Sequence, residues 1–344
     1  MSAPLRLRVV ETIAETSDAR SVVFVADDGA PVRYRAGQFL TLRVPGADGE
    51  PDLARCYSLS SSPHTDPDRL VVTVKKVAGG RGSAWMCDSL QAGDVVDALR
   101  PAGVFTPGDL DQDLLLAAAG SGVTPVLSIL RSALEAGTGR ITLLYANRDE
   151  SSVIFAQALA DLERAHPERL VVVHWLESLQ GLPDVASLAA RLAPYADREA
   201  YLCGPVPFMA AAEKALVDLL GAPAQRVHRE EFVSLTGDPF AAPAAIVEDD
   251  DADAAELEVE LDGETRTLPW SRSRSLLDVL LAAGLDAPYS CREGACSACA
   301  CVVREGEVSM AVNQVLDDDD LADGIVLGCQ AVPASDRVRV SYDA

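Results

Sequence analysis

Residues 288–300, Pro-Tyr-Ser-Cys-Arg-Glu-Gly-Ala-Cys-Ser-Ala-Cys-Ala, form the stretch that decides the fold of the last part of this chain. The stretch places Cys291, Cys296 and Cys299 within nine residues, and Cys329 follows after a long gap. Four thiolates at this spacing are the ligands of a plant-type [2Fe-2S] cluster. The pattern therefore predicts these four cysteines as iron ligands, and it predicts single-electron chemistry.

Three other cysteine sites fit the pattern less well. Structural zinc sites usually pair two close doublets, whereas this chain has a triplet and a distant singlet. A c-type haem needs His after the second cysteine of its motif, where Ala300 stands. A disulfide framework suits a small secreted domain. Cys301 is interpreted as a small buried strand residue, because the four-ligand cage has no place for a fifth cysteine.

The amino-acid composition and net charge limit the class of protein to which this chain can belong. The chain has 344 residues, 49% of them hydrophobic, and a formal net charge of −24. Such a charge disfavours binding to nucleic acid or to an anionic membrane. Residues 248–344 hold 22 acidic and 7 basic side chains, which fits either a docking signal for a basic partner or a general solubility habit. The start of the chain has no apolar signal segment, and no apolar run could span a bilayer, so we expect a cytoplasmic protein.

The pattern of apolar runs and turn residues divides the chain into four parts. Residues 1–108 alternate in short β-rich runs, which predicts an antiparallel β-barrel or sandwich. Residues 109–232 alternate apolar strands with helical stretches, which predicts a parallel α/β nucleotide-binding domain. Residues 233–254 are rich in Pro, Ala and Asp and are interpreted as a solvated linker. Residues 255–344 carry the cysteines, and strand and helix signals there predict an α+β domain.

The first domain contains two short motifs of possible cofactor contact. Arg55, Tyr57 and Ser58 close one β run, and Gly82 and Ser83 begin a short helix after another. A flavin needs an aromatic platform, a hydroxyl near its reactive nitrogen, and a cation with a helix N-terminus for its phosphate. These residues supply one of each. Ordinary strand-end packing explains the same residues, so both interpretations stay open at this point.

The second domain carries two glycine turns at strand ends. Gly120-Ser121-Gly122-Val123-Thr124-Pro125 follows one buried strand, and Cys203-Gly204-Pro205 follows another. The carboxyl ends of parallel strands present N–H groups to a pyrophosphate. The first turn departs from the usual dinucleotide fingerprint because Pro125 takes the third glycine position. Tight-turn glycines without a ligand are the alternative.

The order of these motifs resembles the ferredoxin–NADP reductase superfamily across nearly the whole chain. With a C-terminal plant-type ferredoxin domain, the arrangement is similar to the reductase components of multicomponent oxygenases. The resemblance implies an FAD-binding antiparallel β-barrel in residues 1–108 and a β-grasp-like ferredoxin domain in residues 255–344. Residues 174–178 with 180–183, and residues 232–235 with 238–240, look most like the reductase components of 3-ketosteroid 9α-hydroxylases. The reductases of phenylacetyl-CoA epoxidases share this layout and remain the alternative.

The resemblance implies a role for each matching residue. Tyr57 would stack on the flavin ring, Ser58 would reach its reactive nitrogen, and Cys203 would lie beside the nicotinamide; these three are the expected catalytic residues. The expected contacts to FAD and to the nicotinamide dinucleotide are Arg55, Val74, Lys75, Gly82, Ser83, Gly120, Gly122, Thr124, Arg148, Gly204, Pro205 and Phe232. Phe232, which ends the second domain after Glu231, would face the flavin or belong to the core.

The choice between NADH and NADPH depends on residues 147–152. Arg148 with Ser152 could hold a 2′-phosphate, whereas Asp149 and Glu150 would repel it or bind a free ribose hydroxyl. These acids favour NADH, with NADPH as the alternative.

The functional hypothesis is a linear electron relay from NADH through FAD and the 2Fe-2S cluster to a separate oxygenase. The cofactors carry the chemistry and the protein orients them, so no further nucleophile or catalytic metal is expected. The four histidines have no partner at ligand spacing and are interpreted as structural. One rival hypothesis keeps the relay and changes the partner to a di-iron epoxidase or a ring hydroxylase. Another is an interaction protein whose cysteines bind zinc.

Overall fold

The computed structural model describes residues 4–46, 50–241, 253–316 and 318–343. In these residues the chain forms three main sheets in sequence order, each with its own hydrophobic core. This confirms the predicted succession of an antiparallel barrel, a parallel α/β domain and an α+β domain. Among the helices of the described ranges, none is long and apolar enough to cross a membrane.

The first sheet is an antiparallel, nearly closed barrel of six strands in the order β4-β3-β6-β1-β2-β5. A β-bridge between Leu59 and Val72 links its two edges. Buried side chains such as Leu7, Phe24 and Leu40 fill the interior, as expected for strands that alternate inward and outward. The strands are β1 Leu5–Ala14, β2 Ala19–Ala26, β3 Phe39–Val44, β4 Leu53–Ser58, β5 Leu70–Lys75 and β6 Val95–Ala98.

A short helix follows the barrel strand β5. Helix α1, Arg81–Ala84, continues into a wide helical turn at Trp85–Ser89, and Met86 of that turn is buried in the barrel core. The short helix predicted at Gly82 and Ser83 is therefore present, and it begins one residue earlier, at Arg81.

The second sheet is parallel, with the strand order β11-β10-β7-β8-β9. Its central strands are apolar over nearly their whole length, as a sheet covered on both faces requires. Two cores, one on each face, pack against helices. The strands are β7 Leu114–Ala119, β8 Ile141–Asn147, β9 Leu170–Leu176, β10 Glu199–Cys203 and β11 Val227–Glu230; the helices are α2 Val123–Ala136, α3 Ala156–Ala165, α4 Glu177–Gln180, α5 Val185–Leu192 and α6 Val206–Lys214.

Two helices of this domain differ from the sequence prediction. The apolar pattern of the sequence predicts a helix over Val153–Ala165, but helix α3 begins at Ala156, because Phe155 takes a left-handed backbone conformation with φ of 62°. Helix α5 was not predicted at all. Its start is a capping box in which the side chains of Asp184 and Ser187 each accept from the backbone N–H of the other, a signal that the sequence does contain.

The third sheet is mixed, with the order β13-β12-β18-β14-β16, and a small hairpin of β15 and β17 lies beside it. The pairing of β12 with β18 is parallel, as in a β-grasp arrangement, and Trp270 and Leu277 are fully buried in the core. The sequence predicts a capping-box start of a helix from Ser275 and Asp278, and Ser275 does cap helix α7, since its hydroxyl accepts from the N–H of Asp278 at 3.2 Å. The elements are β12 Ala255–Leu261, β13 Glu264–Trp270, α7 Leu276–Ala282, β14 Ala300–Glu305, β15 Val308–Met310, α8 Asp318–Ala322, β16 Ile325–Leu327, β17 Ala331–Pro333 and β18 Arg337–Ser341.

Candidate functional site

The cysteine loop is tightly curled between α7 and β14. Arg292 and Gly294 both have left-handed backbone conformations, with φ of 59° and 74°. A Cβ on Gly294 would lie 2.7 Å from the carbonyl oxygen of Val312, so the loop can approach this neighbour only with glycine. Glycine at this position thus allows the curl that the ligand spacing demands.

The four predicted ligands converge in the folded chain. The Sγ of Cys296 lies 3.1 Å from that of Cys291, and the N–H of Cys329 donates to the Sγ of Cys299 at 3.4 Å. Hydrogen bonds from the Cys296 and Cys329 thiols hold the pKa of Cys291 well below its usual value. Three of the cysteines are buried and Cys296 is partly exposed. Sequence reasoning thus identified a set of residues that the fold brings together.

Further N–H groups point at these sulfurs. The N–H of Glu293 donates to Cys291 Sγ at 3.3 Å, and the Gln330 amide donates to Cys329 Sγ at 3.5 Å. Buried thiolates with N–H donors around them suit the iron of a 2Fe-2S cluster.

The flavin motif of the barrel also comes together. A Cβ on Gly82 would lie 2.8 Å from Tyr57 Oη and 2.9 Å from the Arg55 Cγ, so glycine lets α1 approach both side chains. Ser83 closes the turn, because its hydroxyl accepts from the N–H of Val77 at 3.1 Å and donates to the carbonyl of Gly80 at 3.2 Å. The two motifs that were weak when taken separately form one surface.

The basic side chains near this surface already have partners in the protein. Arg55 donates to the carbonyl oxygens of Ala54 at 2.7 Å and Leu235 at 3.1 Å. Lys75 Nζ and Arg148 Nη2 lie 3.7 and 3.5 Å from the same carboxylate oxygen, Oδ2 of Asp18. The predicted flavin residue Lys75 and the predicted nicotinamide residue Arg148 therefore meet at one barrel carboxylate, which the sequence did not indicate.

The two glycine turns of the second domain are in direct contact. A Cβ on Gly122 would lie 2.1 Å from the carbonyl oxygen of Cys203, and one on Gly204 would lie 2.9 Å from the Cβ of Ala119. Thr124 Oγ1 donates to the carbonyl of Ser121 at 3.0 Å and fixes the first turn. The turns therefore form a single edge at the carboxyl ends of β7 and β10, where helices α2 and α6 begin.

The side chains of the 147–152 turn form most of their hydrogen bonds within the turn. The carboxylate of Asp149 accepts from the N–H of Ser152 at 3.0 Å and from the Ser151 hydroxyl at 2.7 Å. The Ser151 hydrogen bond is the main cause that lowers the pKa of Asp149. The Ser152 hydroxyl donates back to the Asp149 carbonyl. Both side-chain amide atoms of Asn147 are buried without a hydrogen-bond partner among the described residues.

A half-buried acid that sequence reasoning missed joins the two domains. Glu230 ends β11 and is paired with Cys203 in β10, and Ser58 Oγ donates to Glu230 Oε2 at 3.3 Å. Burial raises the pKa of Glu230 to about 8, against the opposing effect of the Ser58 hydrogen bond. Burial, and then the charge of Glu230, raises the pKa of the Cys203 thiol well above its usual value. The position of Glu230 at the carboxyl end of a parallel strand was the available signal.

Phe232 lies two residues beyond this acid. Its side chain is 51% exposed, so it does not belong to a core. Of the two predicted roles, core packing is the one that the structure does not support.

The cysteine loop packs on the barrel strand that carries the flavin motif. The hydroxyls of Ser290 and Thr41 share a hydrogen bond of 2.7 Å, and Ser290 Oγ lies 3.3 Å from Cys56 Sγ. Ala54, Cys56 and Phe39 pack against residues of the loop. Cys56 lies between Arg55 and Tyr57 in sequence, so the predicted iron ligands lie next to the predicted flavin surface.

Part of the predicted linker takes part in this contact. Leu235 is buried against Ala54 and Cys291, and Thr236 Oγ1 donates to Glu293 Oε1 at 2.8 Å. The guanidinium of Arg43 lies 4.5 Å from the ring centroid of Phe240. Residues 233–241, called the strap here, therefore lie on the barrel and the cysteine loop. Residues 242–252 of the predicted linker, with the acidic run 248–251, fall outside the described residues.

Comparison with known proteins gives two family matches. Residues 259–334 match the 2Fe-2S iron-sulfur cluster binding domain, and residues 116–214 match the oxidoreductase NAD-binding domain. The first contains all four predicted iron ligands, and the second contains both glycine turns. These matches and the donor set of the cysteine loop agree that the last domain holds a 2Fe-2S cluster.

Full-length relatives extend the match over the whole chain. The ferredoxin reductase component of 3-ketosteroid-9-alpha-monooxygenase from Mycolicibacterium smegmatis is 55% identical, with 98% of this chain and 97% of the relative covered. One subunit of the 1,2-phenylacetyl-CoA epoxidase of Escherichia coli is 36% identical, with 98% and 97% covered. Among solved structures, phthalate dioxygenase reductase, described as transferring electrons from pyridine nucleotides to 2Fe-2S, aligns over 98% of both chains with 26% identity and a TM-score of 0.57.

Proposed function

The chain belongs to the family of 3-ketosteroid-9-alpha-monooxygenase ferredoxin reductase components, and from this premise we propose that it passes electrons from NADH to the oxygenase component of a steroid 9α-monooxygenase. The observation that carries the proposal is the 55% identity over 98% of the chain. The chain is an oxidoreductase that uses FAD, a nicotinamide dinucleotide and a 2Fe-2S cluster.

The bound groups supply the electron chemistry: a flavin takes a hydride from a nicotinamide and releases its electrons singly, and a 2Fe-2S cluster carries one electron at a time. The residues of this chain bring the groups together. We assign residues 1–108 to the flavin, 109–232 to the nicotinamide dinucleotide and 255–344 to the cluster, joined by the linker 233–254.

On the nicotinamide side, the edge formed by the turns at Gly120 and Gly204 offers backbone N–H groups to a pyrophosphate. Cys203, at the end of β10, supplies a thiol that burial keeps neutral by raising its pKa. Such a thiol is a small apolar contact for a nicotinamide ring and carries no charge that would oppose hydride transfer. We place Cys203 at this ring.

On the flavin side, Ser58 and Glu230 form a hydrogen-bonded pair that can hold a proton. With a pKa of about 8, the Glu230 carboxyl is mostly protonated at neutral pH. Ser58 Oγ lies 3.3 Å from Glu230 Oε2, and Ser58 follows Tyr57 in the same strand. The pair can therefore give a proton to, or take one from, a flavin nitrogen at Ser58 Oγ.

On the exit side, Cys56 and Ser290 place the cysteine loop directly against strand β4. This contact supports transfer within one molecule, without a separate ferredoxin. An external oxygenase would then take the electrons from the cluster. Residues 248–344, which contain the predicted cluster ligands, carry a net charge of −15. This negative charge supports a partner whose docking surface is basic.

The contacts of the 147–152 turn also support the preference for NADH. A 2′-phosphate needs an available cation, and Arg148 is paired with Asp18 at 3.5 Å. Asp149 and Glu150 add negative charge in the same turn. Ser152 is occupied by the capping box of that turn. The proposed cytoplasmic location remains a prediction from the sequence.

The test is a reconstitution with purified protein. NADH should bleach both the flavin bands and the red-brown cluster envelope, and the oxygenase component paired with the Mycolicibacterium smegmatis relative should turn over a 3-ketosteroid. The phenylacetyl-CoA epoxidase to which the Escherichia coli relative belongs should not turn over its substrate. Turnover of the epoxidase alone would instead assign the second function, which the 36% identity favours less.

A cysteine variant tests the order of the relay. In Cys296→Ser, reduction of a dye that accepts electrons from the flavin should persist while oxygenase turnover is lost. Loss of both would contradict the order, and a colourless wild-type protein would rule out the relay altogether. Ser297→Ala, next to the ligand, is the control and should keep both activities.

A further inference from the structure

One side of the cysteine loop is covered by the barrel. Cys291 and Ala295 are buried in one apolar cluster with Ala54 of the barrel, and Ala298 is buried in another with Phe39. Electrons from the flavin would reach the cluster through this contact. A separate oxygenase cannot approach the same side while the ferredoxin domain is docked, because the barrel occupies it.

A different side of the cysteine loop is covered by one short segment, residues 311–316, called the outer loop here. The N–H of Gln314 donates to the carbonyl of Gly294 at 3.1 Å, between two of the iron ligands in sequence. The N–H of Ala311 donates to the carbonyl of Gln330 at 3.2 Å, directly after the fourth ligand. The outer loop is therefore hydrogen-bonded to both segments that carry the iron ligands.

The outer loop is also bonded within itself. The side-chain oxygen of Asn313 accepts from the N–H groups of Val315 at 3.2 Å and Leu316 at 2.9 Å. The side-chain amide of Asn313 donates to the carbonyl of Leu316 at 2.9 Å, and Leu316 packs against the core of the ferredoxin domain. A loop that is already ordered loses little conformational entropy when a partner binds to it.

Two valines of the outer loop are exposed. Val312 and Val315 each have 39% of their surface accessible to solvent. A Cβ on Gly294 would lie 3.1 Å from Val312 Cγ1, so this side chain also touches the cysteine loop. Exposed apolar side chains that lie together on a surface are typical of a site of protein–protein contact. Here they lie beside the loop that carries three of the iron ligands.

The chain around the outer loop is acidic. Between Arg304 and Arg337 the sequence contains eight Asp and Glu residues and no Lys, Arg or His. Helix α8 follows the outer loop closely in sequence, and in this region the side chains of Asp319 and Asp323 are exposed. Protein–protein interfaces commonly have an apolar centre and a polar rim, and the charges of the two rims are complementary. An acidic rim complements a basic partner.

We propose that the outer loop is the docking surface for the oxygenase component, whose own surface there has an apolar centre with basic side chains around it. This inference rests on the proposed function and adds the place where electrons leave the chain. In each encounter one electron leaves the reduced cluster and reduces the acceptor centre of the oxygenase. Because the barrel contacts a different side of the cysteine loop, the oxygenase binds while the ferredoxin domain stays docked.

The test is Val315→Lys in the full-length protein with both cofactors bound. The variant replaces an exposed apolar side chain with a positive charge that opposes a basic surface. The partner is the oxygenase component that pairs with the Mycolicibacterium smegmatis relative. Its dissociation constant, measured by isothermal titration calorimetry without NADH, should rise about tenfold. Reduction of the flavin and the cluster by NADH should proceed at the wild-type rate, because the barrel contact is unchanged.

Two control variants make the result specific. Val171→Lys places the same charge on a valine of similar exposure, 44%, in strand β9 of the nucleotide-binding domain, and it should leave the dissociation constant unchanged. Val315→Asp removes the apolar side chain without adding positive charge, so it should weaken binding less than Val315→Lys does. Added salt should weaken wild-type binding, because salt screens exposed charges. Equal dissociation constants for Val315→Lys and wild type, or an equal loss in Val171→Lys, would overturn the proposal.

A second copy of this chain is the other occupant to test. Sedimentation of the reductase alone should give the same oligomeric state for wild type and Val315→Lys. If the variant instead dissociates a wild-type dimer and still binds the oxygenase with wild-type affinity, the outer loop is a self-association surface and the proposal is wrong. Failure of the proposed function gives a different result, since the wild-type protein itself would then not bind the oxygenase, and this inference would end with it.

Discussion

Replacing Glu230 with Gln should remove a pH-dependent loss of folding stability at the junction of the barrel and the α/β domain. In the folded protein the pKa of this carboxyl is about 8, compared with an ordinary value of 4.5. The folded state thus holds a proton that the unfolded chain releases as the pH passes 4.5. Stability from the neutral acid is fully present below about pH 4.5 and is lost as the pH rises to about 8.

The size of the effect follows from the shift. One pKa unit corresponds to about 1.4 kcal/mol, so the shift sets an upper limit of about 5 kcal/mol on the stability lost across this window. Gln keeps the shape of the protonated acid and can still accept from Ser58 Oγ. Glu230→Gln should therefore match wild type near pH 5 and become the more stable protein by pH 8.5.

Urea unfolding at pH 5, 7 and 8.5 measures the effect. The probe is tryptophan fluorescence, to which Trp175 in the same sheet contributes. The informative quantity is the difference between variant and wild type, since other titrating groups cancel in it. Glu231→Gln changes the exposed neighbour and should show no pH-dependent difference. A Glu230→Gln difference that stays constant from pH 5 to 8.5 would refute the reasoning.

The other predictions concern contacts at the domain junctions. Ser290→Ala removes the hydroxyl between barrel and cysteine loop, so stopped-flow reduction of the cluster should slow several-fold while flavin reduction by NADH is unchanged; equal rates in both steps would contradict this. Gly122→Ala puts a Cβ 2.1 Å from the Cys203 carbonyl, so KM for NADH should rise more than tenfold, and an unaltered KM would show that the turn can yield. Asp18→Asn releases Arg148 from its ion pair, so kcat/KM for NADPH relative to NADH should rise several-fold; a constant ratio would exclude Arg148 from the choice.

The cysteine spacing and the strand-end glycines were predictable because each is a local pattern with a direct physical reason. Cys291 and Cys296 can reach one cluster only through a tight loop, and the fold provides it. Gly122 and Gly204 meet because parallel strands end at the same edge of a sheet. These residues lie where the sequence predicts them to be.

Three missed features, at Glu230, Asp18 and Leu235, depend on contacts between elements that are distant in the sequence. Glu230 resembles a surface acid in the sequence, and only the pairing of β11 with β10 and the approach of Ser58 bury its carboxyl. Asp18 precedes its partner Arg148 by 130 residues. Leu235 lies in a stretch without periodicity, so its burial depends on Ala54 and Cys291, which come from two different domains.

The strap and the cysteine loop have a consequence for how this chain can be divided. Their removal would uncover the apolar side chains of Phe39, Ala54 and Ala102 on the barrel, together with the Cys56 thiol. Residues 1–232 expressed alone would therefore expose an aggregation-prone apolar surface and a thiol that can be oxidised. The three domains are modules in sequence, but the surface of the first is complete only when the last is attached.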